Sequence, residues 1–432
     1  MHLTQTTMKT KIIIILIALH LFFAKGYGQV WSTLSSGTNG NVYATAVYNG
    51  ELYVGGTFTQ AGGISVSNIA KWNGTSWSAM PGIYGSLATV RALIVYNGEL
   101  YAGGTFTQAG SLGSNTTINI AKWDGTNWSV VGAGQNGRIN AFAVYNSELY
   151  VGGGFTNAIA KWNGTTWSSV ATGLNNNINA LAVYNSELYA GGDFNGSPAP
   201  SDYVAKWNGT SWLAVSSGTN NTVYALATYN AELYMGGIFT MAGAVSAANI
   251  VKWDGTSFIS FGGTGTSGDV RSLVVYGTSI YAGGLFNSVN GTSIHNVVQW
   301  NGTIWTKLLA GVTDFVFTLC VYNNDLYAGG QFNYANNNTA YYVAKWNDGI
   351  SGIMENQTQT TMSVYPNPAQ NIVSISSAEK IKSITCFTSV GQIIDVKFEN
   401  NSINVSSLEK GLYFLNITAE NGTKSAQKFI KE

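Results

Sequence analysis

Few side chains in this 432-residue sequence are suited to catalysis. His295 is the only histidine after residue 20, which excludes a multi-histidine metal site. It could serve in one catalytic triad, but neither a G-x-S-x-G motif nor a paired catalytic carboxylate accompanies it. We therefore expect no enzyme activity, no metal and no cofactor.

One aligned sequence position is better suited to ligand binding. Seven segments end in Tyr, and the residue five positions before that Tyr is aromatic, an amide or arginine in every copy. These residues are Tyr43, Arg91, Asn140, Asn179, Tyr224, Arg271 and Phe317. With Arg138, the only other arginine, they suit stacking on sugars and bidentate recognition of carboxylates or sulfates. The alternative interpretation is that this position packs between repeats and tolerates large residues.

These segments belong to seven copies of a longer repeat. Each copy has a Gly-Gly pair, a Phe two residues later and, after a loop, an apolar strand that ends in Trp. The Gly-Gly motifs are ELYVGG at 51–56 and 148–153, ELYAGG at 99–104 and 187–192, ELYMGG at 232–237, SIYAGG at 279–284 and DLYAGG at 325–330. The motifs lie 39 to 49 residues apart, close to the length of a four-stranded propeller blade. Asn-Gly and Asp-Gly pairs predict tight hairpins within the copies.

The glycine pairs need an explanation, because glycine is depleted in strands. We expect Gly55 and Gly56 to make room for bulky Trp and Tyr rings that press against bare backbone. Together with the K-W-[N/D]-G-T-x-W motif, the pairs resemble the kelch repeat over residues 31–349. The resemblance implies an all-β fold with a seven-bladed, kelch-like β-propeller.

The first and last repeats predict how the blades close. Residues 31–34 match the fourth strand of later repeats, as at Trp77 and Trp128, whereas the last repeat stops at residues 345–349 without that strand. We therefore expect Trp31 to pair beside residues 341–346 and to complete the seventh blade, which removes an exposed sheet edge.

Charged residues recur at two positions of the repeat. An acidic residue opens the second strand and a lysine precedes the Trp of the third strand in six copies, whereas the sixth copy has Ser279 and Gln299. The six pairs are Glu51 with Lys71, Glu99 with Lys122, Glu148 with Lys161, Glu187 with Lys206, Glu232 with Lys252 and Asp325 with Lys345. Because both partners vanish together, we predict structural ion pairs between neighbouring strands rather than catalytic groups.

The N-terminal segment predicts export. Lys9 and Lys11 precede an apolar run at 12–24, which is typical of a signal peptide, here assigned to residues 1–28. No later segment is long enough to be a transmembrane anchor. The 20 basic and 20 acidic residues balance, so no nucleic-acid partner is expected.

Sequence composition changes after the repeats, which we assign to a β-propeller domain at residues 29–349. A polar stretch at 350–362 predicts a linker, and short strand patterns at 363–432 predict a small β-sandwich. This last region resembles the C-terminal sorting domain of the type IX secretion system of Bacteroidota. The residues that carry the resemblance include Tyr365, Pro366, Asn367, Pro368, Gly391, Gly411, Tyr413, Lys428 and Lys431. The resemblance implies passage through the periplasm, the secretion translocon and its sorting peptidase as partners, and a final location outside the cell or on its outer surface.

The loops indicate where function lies in the repeat region. Loops between the second and third strands differ in length among copies, and variable loops on a rigid scaffold usually carry binding residues. The sequence favours a secreted or surface-displayed binding or adhesion module with a glycan or protein ligand. The alternatives are a structural surface protein without a dedicated ligand and, less favoured, a glycan-processing enzyme.

Overall fold

The computed structural model describes residues 29–432 except 112, 114–115, 197–199, 348–362, 378, 389–392, 395 and 421–423. The chain divides into two compact units, at residues 1–350 and 351–432. All regular elements in the described residues are β-strands, so the expected all-β class is confirmed. Over the same residues there is no helix of the length and apolarity needed to cross a membrane.

The first unit contains seven four-stranded antiparallel sheets, one for each sequence repeat. The first strands are Val42–Tyr48, Thr89–Tyr96, Arg138–Tyr145, Ile178–Tyr184, Val223–Tyr229, Asp269–Tyr276 and Val316–Tyr322. The second strands are Glu51–Gly56, Glu99–Thr105, Glu148–Gly154, Glu187–Gly192, Glu232–Gly237, Ser279–Leu285 and Asp325–Gly330. The third strands are Ile69–Trp72, Ile120–Trp123, Ile159–Trp162, Val204–Trp207, Ile250–Trp253, Val297–Trp300 and Val343–Asn347. The fourth strands are Trp77–Ser78, Trp128–Val130, Trp167–Ser169, Trp212–Ala214, Phe258–Ile259, Trp305–Lys307 and, for the seventh sheet, Val30–Thr33.

Short two-stranded ribbons supplement these sheets in several of the loops. They are Gln60–Ala61 with Ile64–Ser65, Gly82–Tyr84 with Gln108–Gly110, Met241–Ala242 with Val245–Ser246, Ser288–Val289 with Thr292–Ser293, and Tyr334–Ala335 with Asn338–Thr339.

The seventh sheet is built from both ends of the repeat region. Trp31 lies opposite Trp346 in an antiparallel ladder, which confirms the pairing expected from the sequence. The two indole rings are 5.4 Å apart, and Trp31 is almost fully buried. Its Nε1 donates a hydrogen bond of 2.9 Å to the Leu308 carbonyl oxygen, which follows the fourth strand of the sixth sheet.

The glycine pairs pack differently from the expectation. A Cβ on Gly55, the first glycine, would overlap the side chain of Val90 on the first strand of the next sheet. A Cβ on Gly56 would overlap the carbonyl oxygen of Asn41 in its own sheet. The expectation that the pair makes room for Trp and Tyr was therefore wrong, because a branched aliphatic side chain and a carbonyl oxygen occupy the space.

The same packing recurs in the other six sheets. Each first glycine faces a Val or Ile of another sheet, and these pairs are Gly103 with Ile139, Gly152 with Ile178, Gly191 with Val223, Gly236 with Val270, Gly283 with Val316, and Gly329 with Val42. Each second glycine faces a carbonyl oxygen of its own first strand or the residue just before it. The repeat of Gly-Gly in the sequence thus follows from two close approaches that leave no room for a Cβ.

Hydrogen bonds also connect one sheet with the next. The Tyr48 hydroxyl donates to the Gly98 carbonyl oxygen at 3.1 Å, and Tyr96 donates to the Ser147 carbonyl oxygen at 2.9 Å. In the seventh sheet Tyr322 donates at 3.0 Å to the carbonyl oxygen of Gly50, in the first sheet. The first strands of consecutive sheets are in contact, as are those of the seventh and first sheets.

The predicted ion pairs are confirmed in all six sheets. The lysine Nζ lies 2.7 to 2.9 Å from a carboxylate oxygen of its partner in each pair. In the sixth sheet the Gln299 amide donates to the Ser279 hydroxyl at 2.9 Å, so a neutral hydrogen bond replaces the ion pair.

The C-terminal unit consists of two four-stranded antiparallel sheets around one core. One sheet has the order Ser363–Tyr365, Ile372–Ser376, Ser402–Asn404 and Phe398–Glu399. The other has the order Ile393–Ile394, Ile381–Thr388, Gly411–Ala419 and Lys424–Lys431. Strands of both sheets bury side chains in the shared core, as a small β-sandwich requires. The two cysteines of the chain, Cys320 and Cys386, are both free thiols.

Candidate functional site

A β-bulge positions each member of the aligned set from the sequence. In the first sheet Val42 pairs with Gly56 and Ala44 pairs with Gly55, so Tyr43 has no partner on the second strand. The same register shift leaves one residue unpaired in each of the other six sheets. These bulge residues are Tyr43, Arg91, Asn140, Asn179, Tyr224, Arg271 and Phe317. Bulges redirect side chains, and they are frequent beside functional sites.

A cavity of about 220 Å³ is lined by the first strands of all seven sheets. Five of the eight sequence-predicted ligand residues line it: Tyr43, Arg91, Asn140, Tyr224 and Arg271. The other three are not part of its wall, but each contacts or neighbours one that is. Phe317 lies 4.9 Å from the Tyr43 ring, whereas Arg138 and Asn179 hydrogen-bond to Asn140.

A second ring of residues lies two positions before the bulges. Because alternate residues of a strand share a face, these side chains can reach the bulge residues. Asn41 donates to the Tyr43 hydroxyl at 2.9 Å, and the Phe315 ring stacks on Phe317 with centroids 5.3 Å apart. Sequence reasoning found only Arg138 of this ring, although the same alignment shifted by two residues finds all seven members. Its members are Asn41, Thr89, Arg138, Asn177, Thr222, Asp269 and Phe315.

Arg271 is neutralised by its own neighbour in this second ring. Its Nη2 and Nε lie 2.6 and 3.1 Å from the same carboxylate oxygen of Asp269. The guanidinium carbon also lies 3.7 Å from the centre of the Tyr224 ring, a close cation–π contact. Burial raises the pKa of the Tyr224 hydroxyl even though the charge of Arg271 acts to lower it.

Arg91 occupies the same position in the second sheet without an ion pair. Its guanidinium carbon lies 4.8 Å from the centre of the Tyr43 ring, and its Nε is buried with no hydrogen-bond partner. Burial and the nearby charge of Arg138 lower the pKa of Arg91 from its ordinary value. Of the three arginines, all within the described residues, Arg271 alone forms an ion pair there.

Arg138 begins a chain of amide hydrogen bonds. Its Nε donates to Asn140 Oδ1 at 2.9 Å, and Asn140 Nδ2 lies 3.3 Å from Asn179 Oδ1. Asn179 in turn donates to one carboxylate oxygen of Asp193 at 2.8 Å, and Asn177 donates to the other at 3.0 Å. This half of the site therefore presents amides, a carboxylate and the Arg138 guanidinium, whereas the half around Tyr43, Phe317 and Arg271 presents aromatic rings and an arginine paired with Asp269.

No group of three or more His, Cys, Asp or Glu side chains in the described residues is arranged to hold a metal ion. His295 lies beside a separate cavity of about 270 Å³, where its Nε2 is 3.3 Å from the Ser293 hydroxyl. The site at the first strands can thus stack, donate and accept hydrogen bonds, and attract a negative charge.

Two of the sorting residues predicted from sequence, Asn367 and Tyr413, contact the last strand of the C-terminal unit. Asn367 Nδ2 donates to the Lys428 carbonyl oxygen at 3.0 Å, and Asn367 Oδ1 accepts from the Ile430 N–H at 2.9 Å. Tyr413 stacks on Phe429 with centroids 5.4 Å apart.

The remaining predicted sorting residues have varied positions. Tyr365, Pro366, Pro368 and Lys428 are exposed, Lys431 is 9% exposed, and Gly411 begins a strand. Gly391 lies outside the described residues, as do the predicted signal peptide at 1–28 and linker at 350–362.

The C-terminal unit matches a known family over nearly its whole length. Residues 363–432 match the model of the secretion system C-terminal sorting domain. Residues 363–432 are a type IX sorting domain. The domain indicates interaction with the type IX secretion machinery and export to the cell surface or outside.

One curated relative and several solved structures are similar to parts of the chain. β-Agarase A of Zobellia galactanivorans is 33% identical over 72 residues, which are 16% of this chain and 13% of that protein. The computationally designed protein Ika8 has 15% identity and a TM-score of 0.45, covering 92% of this chain and 99% of its own. The extracellular domain of the one-component system BT4673 from B. thetaiotaomicron has 14% identity and a TM-score of 0.48, covering 94% of this chain and 58% of its own. None of these likenesses bears on the ligand.

Proposed function

We propose that the seven sheets close into a seven-bladed, kelch-like β-propeller at residues 29–349, with a signal peptide at 1–28 and a linker at 350–362. Closure is supported by the contact of Gly329 in the seventh sheet with Val42 in the first. The same contact, from a first glycine to a Val or Ile, joins each of the other six sheets to the sheet that follows it. The hydrogen bond from Tyr322 to Gly50 supports the same arrangement.

The exported chain acts as a secreted or surface-displayed binding module for a glycan or protein ligand, not as an enzyme. The observation that carries this function is the ring of bulge residues around one cavity. All seven bulge side chains are aromatic, cationic or amide groups, and each contacts another bulge residue within hydrogen-bonding or stacking distance. Phe317 extends the aromatic part.

The size of the cavity restricts what enters it. Pockets for drug-sized molecules span roughly 300–1,000 Å³. A cavity of about 220 Å³ is the size of one sugar ring or the end of one side chain. The ligand therefore inserts a single group, and the variable loops contact the remainder.

Glycan-array and pull-down binding by the secreted chain tests this function. We expect the wild-type chain to bind a defined set of ligands, and the double variant Arg91→Ala with Arg271→Ala to lose that binding. Circular dichroism of the variant serves as the folding control. Unchanged binding by the variant contradicts the proposed site, absence of any binding favours the structural alternative, and hydrolysis of a bound sugar favours the enzyme alternative.

A further inference from the structure

We infer that the group inserted into the cavity is an oxyanion, a carboxylate or sulfate carried by a saccharide, and that Arg91 binds it with Arg138 as the supporting charge. This inference rests on the binding function proposed above and specifies its ligand class.

Arg91 and Arg271 occupy equivalent bulges but differ in whether their charge is paired. Arg271 has its charge satisfied by Asp269 within the same strand, so it forms a stacking surface with Tyr224. Arg91 has Thr89 at the position of Asp269, and Thr89 brings no charge. The buried Nε of Arg91 has no protein acceptor, so this guanidinium is left uncompensated at the cavity wall, and a ligand oxyanion at its Nη groups would compensate it.

The stacking geometry leaves Arg91 able to bind. Its guanidinium carbon lies 4.8 Å from the centre of the Tyr43 ring, and a guanidinium that stacks on a ring keeps its N–H groups free because they point outwards within its own plane. A planar carboxylate or a sulfate can therefore take two N–H donors while the cation–π contact persists. The Tyr43 hydroxyl is itself held by Asn41, which fixes the ring against which Arg91 stacks.

Charge in the site favours an anion. Arg138 is close enough to Arg91 to disfavour its charged form, and its only described polar side-chain contact is with the neutral Asn140. Asp269 neutralises Arg271, and Asp193 is the only other carboxylate in the hydrogen-bonded groups of the site. Three guanidinium groups and two carboxylates leave one positive charge uncompensated, and a single bound anion neutralises it.

The rest of the wall favours a saccharide as the carrier of that anion. The Tyr43 and Tyr224 rings line the cavity and supply apolar surface for the C–H side of a sugar ring, although both contact an arginine and Tyr43 also contacts Phe317. Asn140 lines the cavity, and Asn179 and Asp193, which lie outside its wall, continue an amide and carboxylate series suited to sugar hydroxyls, which both donate and accept. A peptide carboxylate would use the arginines but leave these groups without hydroxyl partners.

The experiment uses oligosaccharide pairs that differ only in one carboxylate or one sulfate group, titrated calorimetrically against the full secreted chain. Inorganic sulfate and a peptide with a free C-terminal carboxylate are titrated in parallel. We expect the acidic saccharide of a pair to bind about 10- to 100-fold more tightly than the neutral one, as for a charge-assisted, two-donor contact. The affinity should fall as NaCl is added.

Two variants of Arg91 and one control variant make the test specific. Arg91→Gln should abolish the preference for the acidic member, and Arg91→Lys should restore part of it because the charge returns without the planar pair of donors. Arg271→Gln is the matched control at an equivalent bulge, and it should weaken both members of a pair by a similar factor. Thermal unfolding of each variant confirms that the fold is retained.

The outcomes separate this inference from the proposed function. Equal binding of neutral and acidic saccharides, or a preference that survives Arg91→Gln, overturns the inference and leaves the binding function intact. Tighter binding of the peptide than of any saccharide overturns the saccharide assignment. Absence of binding to every probe contradicts both proposals.

Discussion

Two adjacent layers of the seven-sheet unit differ in how much their residues vary from sheet to sheet. In the glycine layer, on the second strands, both residues are glycine in all seven sheets and their contacts repeat from sheet to sheet. In the bulge layer, directly opposite on the first strands, the residues are Tyr, Arg, Asn or Phe. The glycine layer has no room for a Cβ, whereas the bulge layer has side chains released from the ladder. The first layer therefore fixes the architecture and leaves the second free to vary.

The largest effect should come from breaking the glycine layer. Gly56→Ala places a Cβ against the Asn41 carbonyl oxygen, and backbone cannot move aside as a side chain can. We expect a loss of about 4–5 kcal/mol in the free energy of unfolding. All 13 tryptophans precede residue 347, so urea unfolding followed by tryptophan fluorescence reports on this unit.

Gly98→Asn is the matched control for that change. Gly98 has a positive φ of 77° but open space around its Cβ position, and Asn tolerates this conformation. A change below about 1 kcal/mol is expected in the control. Equal effects of the two substitutions would show that glycine conformation, not close packing, explains the layer.

A slightly smaller effect should follow loss of the strand that completes the seventh sheet. Trp31→Ala removes a buried indole, its contact with Trp346 and its hydrogen bond to Leu308, with an expected cost of about 3–4 kcal/mol. Trp31→Phe keeps the ring contact and should cost about half as much or less. A Trp31→Ala variant as stable as the wild type would contradict the role of this strand.

One sheet offers a direct comparison of two phenylalanines. Phe332 follows the seventh glycine pair and is fully buried, whereas Phe317 is the half-buried bulge residue of the same sheet. We expect Phe332→Ala to cost about 3–5 kcal/mol and Phe317→Ala about 1–2 kcal/mol, since a half-exposed ring loses less on truncation. The urea midpoints of the two variants measure this difference in stability. Equal midpoints would show that the two rings contribute equally to the fold.

The smallest effect should come from exchanging an ion pair for the pair found in the sixth sheet. Lys122→Gln alone leaves Glu99 without its partner and should cost up to about 1 kcal/mol, because the pair is largely shielded but still reaches water. Adding Glu99→Ser recreates the pair formed by Ser279 and Gln299, and should return stability to within about 0.5 kcal/mol of the wild type. A double variant less stable than the single one would indicate that the ion pair does more than hold two strands together.

The strand pairing and the ion pairs could be predicted from the sequence because seven repeats can be aligned with one another. The pairing of Trp31 with Trp346 followed from aligning a strand at one end with a gap at the other. The ion pairs followed from acids and lysines that disappear together at Ser279 and Gln299. Both inferences compare copies with one another, so they need no knowledge of side-chain packing.

The site was only partly readable, for a physical reason. The alignment found the bulge residues but not the bulge, since one unpaired residue in a strand has no signal in a single copy. It also missed that Arg271 is neutralised by Asp269 while Arg91 is not, because that depends on side chains two residues apart sharing a face. The partners of the glycines were wrongly predicted, because composition shows that space is needed but not which group fills it.

The composite seventh sheet leaves the ends of the repeat region beside each other. Val30 lies opposite Asn347, at the place where the other sheets have a hairpin such as Asn73-Gly74-Thr75-Ser76. A Gly-Thr linker from residue 347 to residue 30 would recreate that turn, and new termini could then be opened at any of the remaining hairpins. If the seven sheets close into the proposed propeller, such a permuted chain should fold to the same structure, because the order of the sheets along the chain then depends only on where the ring is opened.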